Sequence, residues 1–431
     1  MRGSARGQVG ATNVAAAGVS AGRAGHCRFC GTLLQHSVVD LGPSPLCQRH
    51  VHEEEVHRPE IFYPLHAFVC ERCFLVQLGL DVDPAEIFGF YHYFSSYSDS
   101  WLEHCRRYVE TMVARFSLDA GSRVAEVGSN DGYLLQYFVE RRIPAFGIEP
   151  AENVARGAAQ RGVDTEVCFF GEAVARQLAA RRGRVDLLIG NNVLAHVPDL
   201  NDFVAGLCAL LAPAGVLTME FPHLLRLVEG NQFDTIYHEH FSYFSLATAE
   251  EVFAHHGLRI FDVEELPTHG GSLRIFACHA SGAERPAQAR LLALREQERA
   301  AGMRSLAFYA SFADRVRETK RRLLGFLIDA ADTGKQVAGY GAPGKGNTLL
   351  NYCGVRTDLL AYTVDRNPLK QGTYLPGTRI PVHAPERIAE TRPDYVLILP
   401  WNLKEEVMQQ MAHVRDWGGR FVVPIPEVQV L

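Results

Sequence analysis

Residues 124–132 read Val-Ala-Glu-Val-Gly-Ser-Asn-Asp-Gly, and this stretch decides the fold class. A short apolar strand pattern runs into a glycine-rich turn, and a helical pattern follows the turn. Further strand-length apolar runs, at 145–149, 186–191 and 216–221, alternate with helical patterns. This alternation is typical of a parallel sheet covered by helices. We therefore predict an α/β domain of the Rossmann type in this part of the chain.

A second stretch with the same pattern begins at residue 337. The strand Val337–Gly341 runs into the turn Gly341-Ala-Pro-Gly-Lys-Gly346, and the next strand ends in Asp365. In the first region the strand after the turn likewise ends in an acid, Glu149, and in both regions about twenty residues separate turn and acid. This agreement predicts a degenerate internal repeat. The sequence thus indicates two Rossmann-like domains joined by a charged helical segment.

The N-terminal region carries two close pairs of cysteines, Cys27-x-x-Cys30 and Cys70-x-x-Cys73. Each pair can present both sulfurs on one side of a tight turn, so that four thiolates can surround a tetrahedral Zn²⁺. Incidental buried thiols are the alternative. We predict a small domain with a structural zinc ion. Five further donors nearby are interpreted as non-ligands: Cys47, His50, His52, His57 and His66.

The length and composition of the chain limit its domain count and its class. At roughly 150 residues per domain, 431 residues correspond to about three domains. The net charge of −6 provides no basic field for nucleic acid, and no apolar run reaches the roughly 18–20 residues of a membrane-spanning helix. The first 26 residues lack the apolar centre of a signal peptide. We expect a cytoplasmic protein that binds neither nucleic acid nor membranes.

The first glycine turn has acids where a dinucleotide site would hold phosphates. Glu126 and Asp131 would repel a pyrophosphate, but they suit a cationic ligand such as the sulfonium and amino groups of S-adenosylmethionine. Glu149, at the end of the second strand, is placed to accept hydrogen bonds from both ribose hydroxyls. The pattern favours S-adenosylmethionine over NAD. The predicted cofactor-binding residues are Glu126, Gly128, Asn130, Gly132, Glu149, Asn191 and Asn192.

Two further segments carry histidines. Asn191-Asn-Val-Leu-Ala-His196 follows a predicted strand, at the edge where open α/β sheets bind ligands. His196 is either a site residue or a histidine at the start of a helix. The second segment, Tyr237-His-Glu-His240, places a phenol, a carboxylate and two imidazoles between apolar residues. Such groups are costly to bury without a function.

The chemistry of residues 237–240 depends on their conformation. If the segment is extended, Tyr237 and Glu239 share one face, and if it curls, Tyr237 and His240 come together. Histidine is the natural general base near neutral pH, and a tyrosine hydroxyl can donate to a developing oxyanion. A His-x-His metal site and a solvated loop are the alternatives. We predict an acid–base site.

The order of these motifs, together with Tyr93-Phe-Ser-Ser-Tyr-Ser98, resembles the sugar C-methyltransferases of deoxysugar antibiotic pathways. The resemblance runs from about Cys27 to the C-terminus. It implies three domains, which bind zinc, S-adenosylmethionine and part of a dTDP-linked sugar. It also implies transfer of a methyl group to a carbon beside a ketone, usually C-3 of a dTDP-4-keto-6-deoxyhexose and in some relatives C-5.

The resemblance implies roles for individual residues as well. His240 is the base that forms an enolate, Glu239 orients or polarises His240, and Tyr237 steadies the substrate or the enolate. His196 and one tyrosine of the segment 91–93 contribute further. The predicted catalytic residues are His240, Glu239, Tyr237, His196, Tyr91 and Tyr93.

The glycine turn that begins at Gly341 lacks the spacing of a Walker loop, but its N–H groups and Lys345 suit the diphosphate of the substrate. A turn without a ligand is the alternative. The predicted substrate-binding residues are Gly341, Lys345, Gly346, Asn347 and Thr348, and the weaker candidates are Asp365, Arg366, Asn367 and Lys370.

The predicted organisation is a disordered tail and four ordered regions. They are the tail (1–25), the zinc-binding domain (26–85), the S-adenosylmethionine-binding methyltransferase domain (86–286), a helical linker (287–332) and a C-terminal Rossmann-like domain (333–431). An O- or N-methyltransferase, which needs less acid–base machinery, and a scaffold protein without catalysis are the competing hypotheses. The oligomeric state is left open.

Overall fold

The structure is a computed structural model that describes residues 25–80, 82–88, 96, 99–282 and 285–431. Tyr91, Tyr93 and the predicted tail, apart from Gly25, lie outside the described residues. Within the described ranges, no helix has both the length and the hydrophobicity needed to span a bilayer.

The described strands form three sheets, connected by helices. The strands are β1 His36–Ser44, β2 Tyr63–Val69, β3 Val76–Leu78, β4 Val124–Val127, β5 Ala145–Ile148, β6 Asp164–Glu166, β7 Val185–Asn191, β8 Leu211–Pro222, β9 Ser242–Tyr243, β10 Leu258–Leu266, β11 Ser272–His279, β12 Val337–Tyr340, β13 Thr363–Val364, β14 Val382–His383, β15 Tyr395–Ile398, β16 Arg420–Val423 and β17 Gln429–Val430. The helices are α1 Pro84–Phe88, α2 Asp99–Phe116, α3 Gln136–Glu140, α4 Glu152–Gln160, α5 Glu172–Arg182, α6 Leu200–Leu210, α7 Leu224–Glu229, α8 Leu246–His255, α9 Ala289–Ala301, α10 Leu306–Ala310, α11 Phe312–Asp332, α12 Gly344–Cys353, α13 Glu386–Thr391 and α14 Lys404–Gln410.

The middle sheet has the order β10-β11-β8-β7-β4-β5-β6. Strands β4 to β8 are parallel, which confirms the predicted α/β class. The expectation of an entirely parallel sheet is wrong at one edge, where β11 runs antiparallel to both β8 and β10. Only residues 267–271 separate β10 from β11, and a connection this short can join neighbouring strands only in the antiparallel sense.

The C-terminal sheet repeats the same arrangement in the order β14-β13-β12-β15-β16-β17. The first strand of each domain is flanked in the same way. β4 lies between β5 and β7, and β12 lies between β13 and β15. In each sheet an antiparallel strand, β11 or β17, borders the last parallel one. The strand order therefore supports the predicted internal repeat.

The acid that ends the second strand makes the same two contacts in both domains. Glu149 accepts hydrogen bonds from the backbone N–H of Asn130, in the glycine turn (3.0 Å), and of Ala151, two residues further on (2.9 Å). Asp365 accepts from the N–H of Ala342, in the second glycine turn (2.7 Å), and from that of Asn367 (2.8 Å). Each acid thus holds the glycine turn against the end of the second strand.

The N-terminal sheet takes one of its strands from the middle of the chain. Its order is β1-β2-β3-β9, and β9 pairs antiparallel with β3. The N–H of Leu78 and the Arg28 guanidinium both donate to the carbonyl of Phe241, at 3.0 Å each. The segment that contains His240 therefore leads directly into the sheet of the zinc-binding region.

The predicted linker consists of three helices, α9, α10 and α11. Gly302, in the left-handed conformation (φ 76°), ends α9, and Ser311 separates α10 from α11. Buried side chains of α11 and α12, such as Leu323 and Leu350, belong to the same apolar cluster as Val39 of β1. This shared core fixes the N-terminal sheet against the C-terminal half of the protein.

Candidate active site

A cavity of about 1090 Å³ lies where the three domains meet. Its wall includes Gln48 from the N-terminal domain, Gly128 and His240 from the middle domain, and Gly341 and Lys345 from the C-terminal domain. The glycine turns that follow β4 and β12 both face it, at the strand ends where open α/β sheets bind ligands. Pockets for one small molecule usually measure about 300–1,000 Å³, so this cavity lies just above the upper end of that range.

The turn after β4 brings the backbone up to the cavity. Gly128 has a φ of 70°, and a Cβ at this position would lie only 3.1 Å from Val193. Asn130 also has a left-handed backbone, with a φ of 48°. Both residues line the cavity. The turn therefore lets a ligand approach the main chain closely, at the place where the sequence predicts the cofactor.

Glu149 lines the same part of the cavity and is nearly buried. Burial raises the pKa of its carboxyl group, and the N–H groups of Ala151 and Asn130 oppose that effect. Because each carboxylate oxygen accepts one backbone hydrogen bond, each can accept another. The two ribose hydroxyls of an adenosyl group match this capacity.

Glu126 does not line the cavity itself but holds a residue that does. It is fully buried and accepts a hydrogen bond from the Tyr133 hydroxyl (2.9 Å), and the residue that lines the cavity is Tyr133. The second oxygen, Oε2, has no hydrogen-bond partner among the described residues. Burial raises the pKa of Glu126 to about 8. A cation bound nearby would stabilise the charged form, so the residue fits the predicted cofactor although it does not line the cavity.

The structure corrects the prediction for two other residues of this turn. Asp131 forms an ion pair with Arg161 (3.4 Å) and does not line the cavity. Gly132 lies against α4, where a Cβ would be 3.2 Å from Ala158. Its role is close helix packing rather than cofactor contact. Neighbouring residues of so tight a turn point in different directions, and the sequence alone does not show which of them face the ligand.

The end of β7 supplies the polar pair that the sequence predicts. Asn191 and Asn192 both line the cavity, and the side-chain Oδ1 of each lacks a hydrogen-bond partner within the described part of the chain. These oxygens can accept hydrogen bonds from a ligand with N–H groups. The amino group of S-adenosylmethionine is such a ligand.

His196 faces the cavity, which favours the first of its two interpretations. Its ring stacks on that of His240, with the centroids 4.9 Å apart and 21° between the planes. Burial lowers the pKa of His196 to about 4, so the ring is neutral at pH 7.

Residues 237–240 curl rather than extend. The N–H of His240 donates to the carbonyl of Tyr237 (2.9 Å), and the two rings lie 4.1 Å apart. The Nδ1 atom of His240 lies 2.8 Å from the carbonyl oxygen of Thr235. Because a carbonyl can only accept, Nδ1 carries the proton and Nε2 is left with a lone pair. The ring is therefore held in the tautomer that a general base requires.

Glu239 also lines the cavity, and its Oε1 accepts a hydrogen bond from the Cys47 thiol (3.6 Å). The Thr235 carbonyl holds Nδ1 of His240. The role of Glu239 in orienting or polarising His240, which the resemblance implies, stays a prediction. His238, the fourth residue of the motif, bonds to the carbonyl of Pro64 (3.2 Å) and has a structural role.

The C-terminal glycine turn is only partly exposed to the cavity. Gly341 and Lys345, two of the predicted substrate-binding residues, line it. Gly346, Asn347 and Thr348 do not, which corrects that part of the prediction. They lie on the buried side of α12, because successive side chains of a helix point in different directions around its axis.

These three buried residues have structural contacts instead. A Cβ at Gly346 would lie 3.0 Å from Leu399. The amide of Asn347 donates to the carbonyl of Cys47 (2.6 Å), which ties α12 to the N-terminal domain. All four of the weaker candidates line the cavity, namely Asp365, Arg366, Asn367 and Lys370.

The sequence analysis missed a second polar cluster beside the cofactor half of the cavity. It consists of Trp101, His104, Glu220, His269 and Arg274. Burial opposes ionisation of Glu220, but Arg274 (2.6 Å) and His104 outweigh it and lower its pKa to about 2. His269 lines the cavity with a left-handed backbone, φ 55°. The sequence signal that could have revealed His269 is a histidine followed by two glycines between two strands.

The four cysteines predicted to bind zinc converge in the N-terminal domain. The sulfurs of Cys27, Cys30, Cys70 and Cys73 all lie within 4.8 Å of one another, with separations of 3.5 Å for Cys27–Cys73 and for Cys30–Cys70. A tetrahedral Zn²⁺ with bonds of about 2.3 Å needs sulfurs ~3.8 Å apart, so the cluster fits the ion. An N–H of Gln77 donates to Cys27 (3.2 Å), which suits a thiolate. None of the four lines the cavity, and the zinc is structural.

The parallel sheet with its glycine turn and Glu149 at the cavity, beside a cluster of four cysteines, places the protein in the class of S-adenosylmethionine-dependent methyltransferases.

Comparisons with known proteins agree. Residues 27–88 match a family model of a zinc binding domain, residues 101–263 match a methyltransferase domain, and residues 267–426 match the C-methyltransferase C-terminal domain. C-methyltransferase NovU of Streptomyces niveus is 41% identical over 410 residues, which cover 94% of this chain and 96% of NovU. The chain belongs to the C-methyltransferase family that includes NovU.

Solved structures that resemble the chain cover less of it. Magnesium protoporphyrin IX methyltransferase of Synechocystis is 18% identical and covers 41% of this chain and 83% of its own, with a TM-score of 0.34. The 1,6-didemethyltoxoflavin-N1-methyltransferase of Burkholderia thailandensis is 18% identical and covers 48% and 96%, also with a TM-score of 0.34. Likenesses at this level say nothing about the substrate.

Proposed function

We propose that the protein methylates a ring carbon next to the ketone of a dTDP-4-keto-6-deoxy sugar, with C-3 as the first choice, in the biosynthesis of a deoxysugar for an antibiotic. The observation that carries the proposal is the His240 ring. Its Nδ1 is held by the Thr235 carbonyl, which leaves the lone pair on Nε2, and the residue lines the shared cavity. Methylation of carbon requires such a base, because the carbon must first lose a proton.

The surroundings of His240 keep the ring neutral, so its Nε2 lone pair is free to accept a proton. Burial lowers its pKa well below the ordinary value, and His196, His269 and Lys345 lower it further. The His196 ring stacks on the imidazole, and the Tyr237 ring lies tilted against it. Tyr237 is proposed to steady the substrate. Tyr91 and Tyr93 remain proposed contributors that lie outside the described residues.

We propose that S-adenosylmethionine and the sugar nucleotide occupy different halves of the cavity. S-adenosylmethionine supplies an electrophilic methyl group. Glu149, Asn191 and Asn192 offer acceptors for its hydroxyl and amino groups. The substrate diphosphate is proposed to lie at the N-terminus of α12, where Gly344 lines the cavity, with the exposed Arg366 nearby on the wall.

A cytoplasmic location belongs to the same proposal. All ten cysteines are free thiols in the structure, and a tetrathiolate zinc site requires that its cysteines stay reduced.

Deuterium exchange in D₂O tests the proposed function. A panel of dTDP-4-keto-6-deoxyhexoses is incubated with the enzyme, and NMR follows both loss of the proton next to the ketone and the position of the new methyl group. We expect exchange and methylation at the same carbon. His240→Ala should lower both rates about 10²–10⁴-fold, the usual contribution of a general base.

The matched control is His57→Ala, which removes an exposed histidine that does not line the cavity. It should leave both rates unchanged. Exchange at the normal rate in His240→Ala would refute the assignment of the base. Methylation of oxygen or nitrogen without exchange would favour the O- or N-methyltransferase alternative, and a methyl group on C-5 would favour the second position known from the resemblance.

A further inference from the structure

Lys345 occupies an unusual position for a cation. It lines the cavity on the first turn of α12, and its described partners are both uncharged. The ammonium donates to Oδ1 of Asn402 (2.8 Å) and lies 4.7 Å from the centre of the Trp401 ring. Burial lowers the pKa of Lys345, and the charge of Asp234 opposes that effect. An amide and an aromatic face do not neutralise an ammonium by direct contact, so its charge can act on a ligand. The position therefore suits an anion in the cavity.

The residues that position Lys345 come from two domains. The Trp401 indole N–H donates to Oδ2 of Asp234 (2.6 Å), which belongs to the middle domain. Burial raises the pKa of Asp234 to about 6, while Lys345 and the Trp401 hydrogen bond lower it. Asp234 is fully buried and does not line the cavity. Its carboxylate lies at the indole N–H, so its negative charge acts on the ammonium of Lys345 without direct contact.

One short turn positions both Lys345 and the base. Asp234 and Thr235 are adjacent in the 3-10 turn Phe233–Thr235. The Asp234 side chain holds the Trp401 ring on which Lys345 lies, and the Thr235 carbonyl holds the ring of His240. The cation and the base therefore have fixed positions relative to each other, although they come from different domains.

The ammonium is also close enough to act on the imidazoles of the cavity. Its charge lowers the pKa of both His240 and His269. Lys345 thus belongs electrostatically to the part of the cavity where the proton is removed.

We infer that Lys345 is a catalytic residue, whose ammonium binds the ketone oxygen of the substrate and stabilises the enolate. The inference rests on the proposed function. When Nε2 of His240 takes the proton, the electrons of the C–H bond form a carbon–carbon double bond, and the ketone π electrons move to the oxygen. The negative oxygen then accepts a hydrogen bond from Nζ. A preformed positive donor is most effective when the charge develops in a site with little water.

Methyl transfer then removes the charge. The enolate carbon forms the new C–C bond with the methyl group, the S–C bond breaks, and its electron pair stays on sulfur as the neutral thioether. The ketone is restored, Lys345 again faces a neutral oxygen, and His240 releases its proton to water. Lys345 therefore interacts most strongly with the intermediate and only weakly with substrate and product, which is the requirement for raising kcat.

This assignment replaces the diphosphate as the ligand of Lys345, and the two ligands predict different kinetics. A residue that binds the diphosphate holds substrate and transition state equally and changes mainly KM, whereas an enolate donor changes the rate at saturation. The test uses Lys345→Met, which keeps most of the side-chain volume without the charge. Exchange of the proton next to the ketone is measured with saturating sugar nucleotide and S-adenosylhomocysteine, and the Kd for dTDP is measured by calorimetry.

We expect saturated exchange to fall about 10²–10³-fold, the usual loss of an oxyanion donor, with the Kd for dTDP within twofold of wild type. Lys345→Gln, which keeps an N–H donor, should fall less. Lys335→Met removes an exposed lysine of the same domain, paired with Asp394, and should change neither quantity. Binding of dTDP and an unchanged melting temperature show that each variant is folded.

Two results overturn the inference while leaving the proposed function intact. One is exchange at the wild-type rate in Lys345→Met. The other is a tenfold weaker dTDP affinity with saturated exchange within threefold of wild type, which would make Lys345 a diphosphate ligand. If the wild-type enzyme exchanges no such proton in any sugar of the panel, the proposed function itself fails, and the role of Lys345 fails with it.

Discussion

At the scale of single residues, the buried Glu126 carboxyl group links protonation to stability. Burial raises its pKa from 4.5 to about 8 in the folded protein. Between these two values the folded chain retains a proton that the unfolded chain has released. The contribution of Glu126 to stability therefore falls as the pH rises from about 4.5 to about 8.

Glu126→Gln should consequently stabilise the protein without bound cofactor. Glutamine keeps an acceptor for the Tyr133 hydroxyl and does not ionise. We expect its melting temperature to exceed that of wild type by an amount that grows from pH 5 to pH 8. The corresponding difference in the free energy of unfolding should grow by at most about 1.4 kcal/mol per pH unit. Thermal unfolding at four pH values measures this. Glu152→Gln, at an exposed position of α4, is the control, and parallel curves for wild type and Glu126→Gln would contradict the expectation.

The resemblance to a known family predicted His240 as the base, but it did not predict what holds the ring. The segment curls through a hydrogen bond to the Tyr237 carbonyl, and the ring is held by the Thr235 carbonyl. Both acceptors are backbone atoms, so the residue types alone could not reveal them. The same limit applies to Asp131 and Gly132, because only the three-dimensional turn decides which side chains face a ligand.

At the scale of elements, the start of α8 depends on a residue of the linker. Glu298 of α9 is buried and accepts hydrogen bonds from the N–H groups of Leu246 (2.6 Å) and Ala247 (2.9 Å). It also bonds to His223 (2.7 Å). The first N–H groups of a helix have no partner within the helix, so this carboxylate replaces a missing acceptor for two of them.

Removal of this carboxylate should loosen α8 locally. Glu298→Ala leaves two buried N–H groups and a histidine without an acceptor, and we expect a loss of about 2–4 kcal/mol. Hydrogen–deuterium exchange at residues 246–247 reports the change directly. Glu296→Ala, which removes an exposed glutamate of the same helix paired with Arg299, should leave the stability nearly unchanged. Equal amide protection in the two variants would show that Glu298 does not cap α8.

Elements with a strong local pattern were predicted well, and those defined by distant pairing were not. The strands β4, β5, β7, β8, β12 and β15 follow from their apolar runs. The two-residue strand Ser242–Tyr243 has no such pattern, since only its partner Val76–Leu78 makes it a strand. The antiparallel strands β10 and β11 were likewise missed, within a region predicted only to be α/β.

At the scale of the whole molecule, the zinc site supports a catalytic segment that it does not touch. The N-terminal sheet contains both β3, next to the zinc-binding cysteines, and β9, which begins two residues after His240. Loss of the metal removes the folding energy of the small domain. We therefore expect the geometry of the base to be lost together with the zinc, although no step of the reaction involves the metal.

Metal analysis and activity measured on the same samples test this dependence. Wild type should contain one zinc per chain, and Cys70→Ser should lose the zinc, melt at a lower temperature and lose deuterium exchange activity. Cys208→Ser, which replaces a half-buried thiol outside the cluster, should retain its zinc. A Cys70→Ser variant that lacks zinc but exchanges at the wild-type rate would separate the metal from the active site.

The shared strand β9 also bears on how this enzyme can be altered by recombination. A cut at residue 85 or 98 separates the domains in sequence, but it leaves β9 without its partner β3 and Phe241 without the Arg28 guanidinium. Grafting the N-terminal region of a relative therefore requires a matching copy of residues 241–243. Chimeras that exchange both segments together should remain active, whereas exchange of the N-terminal region alone introduces a mismatch immediately beside the base.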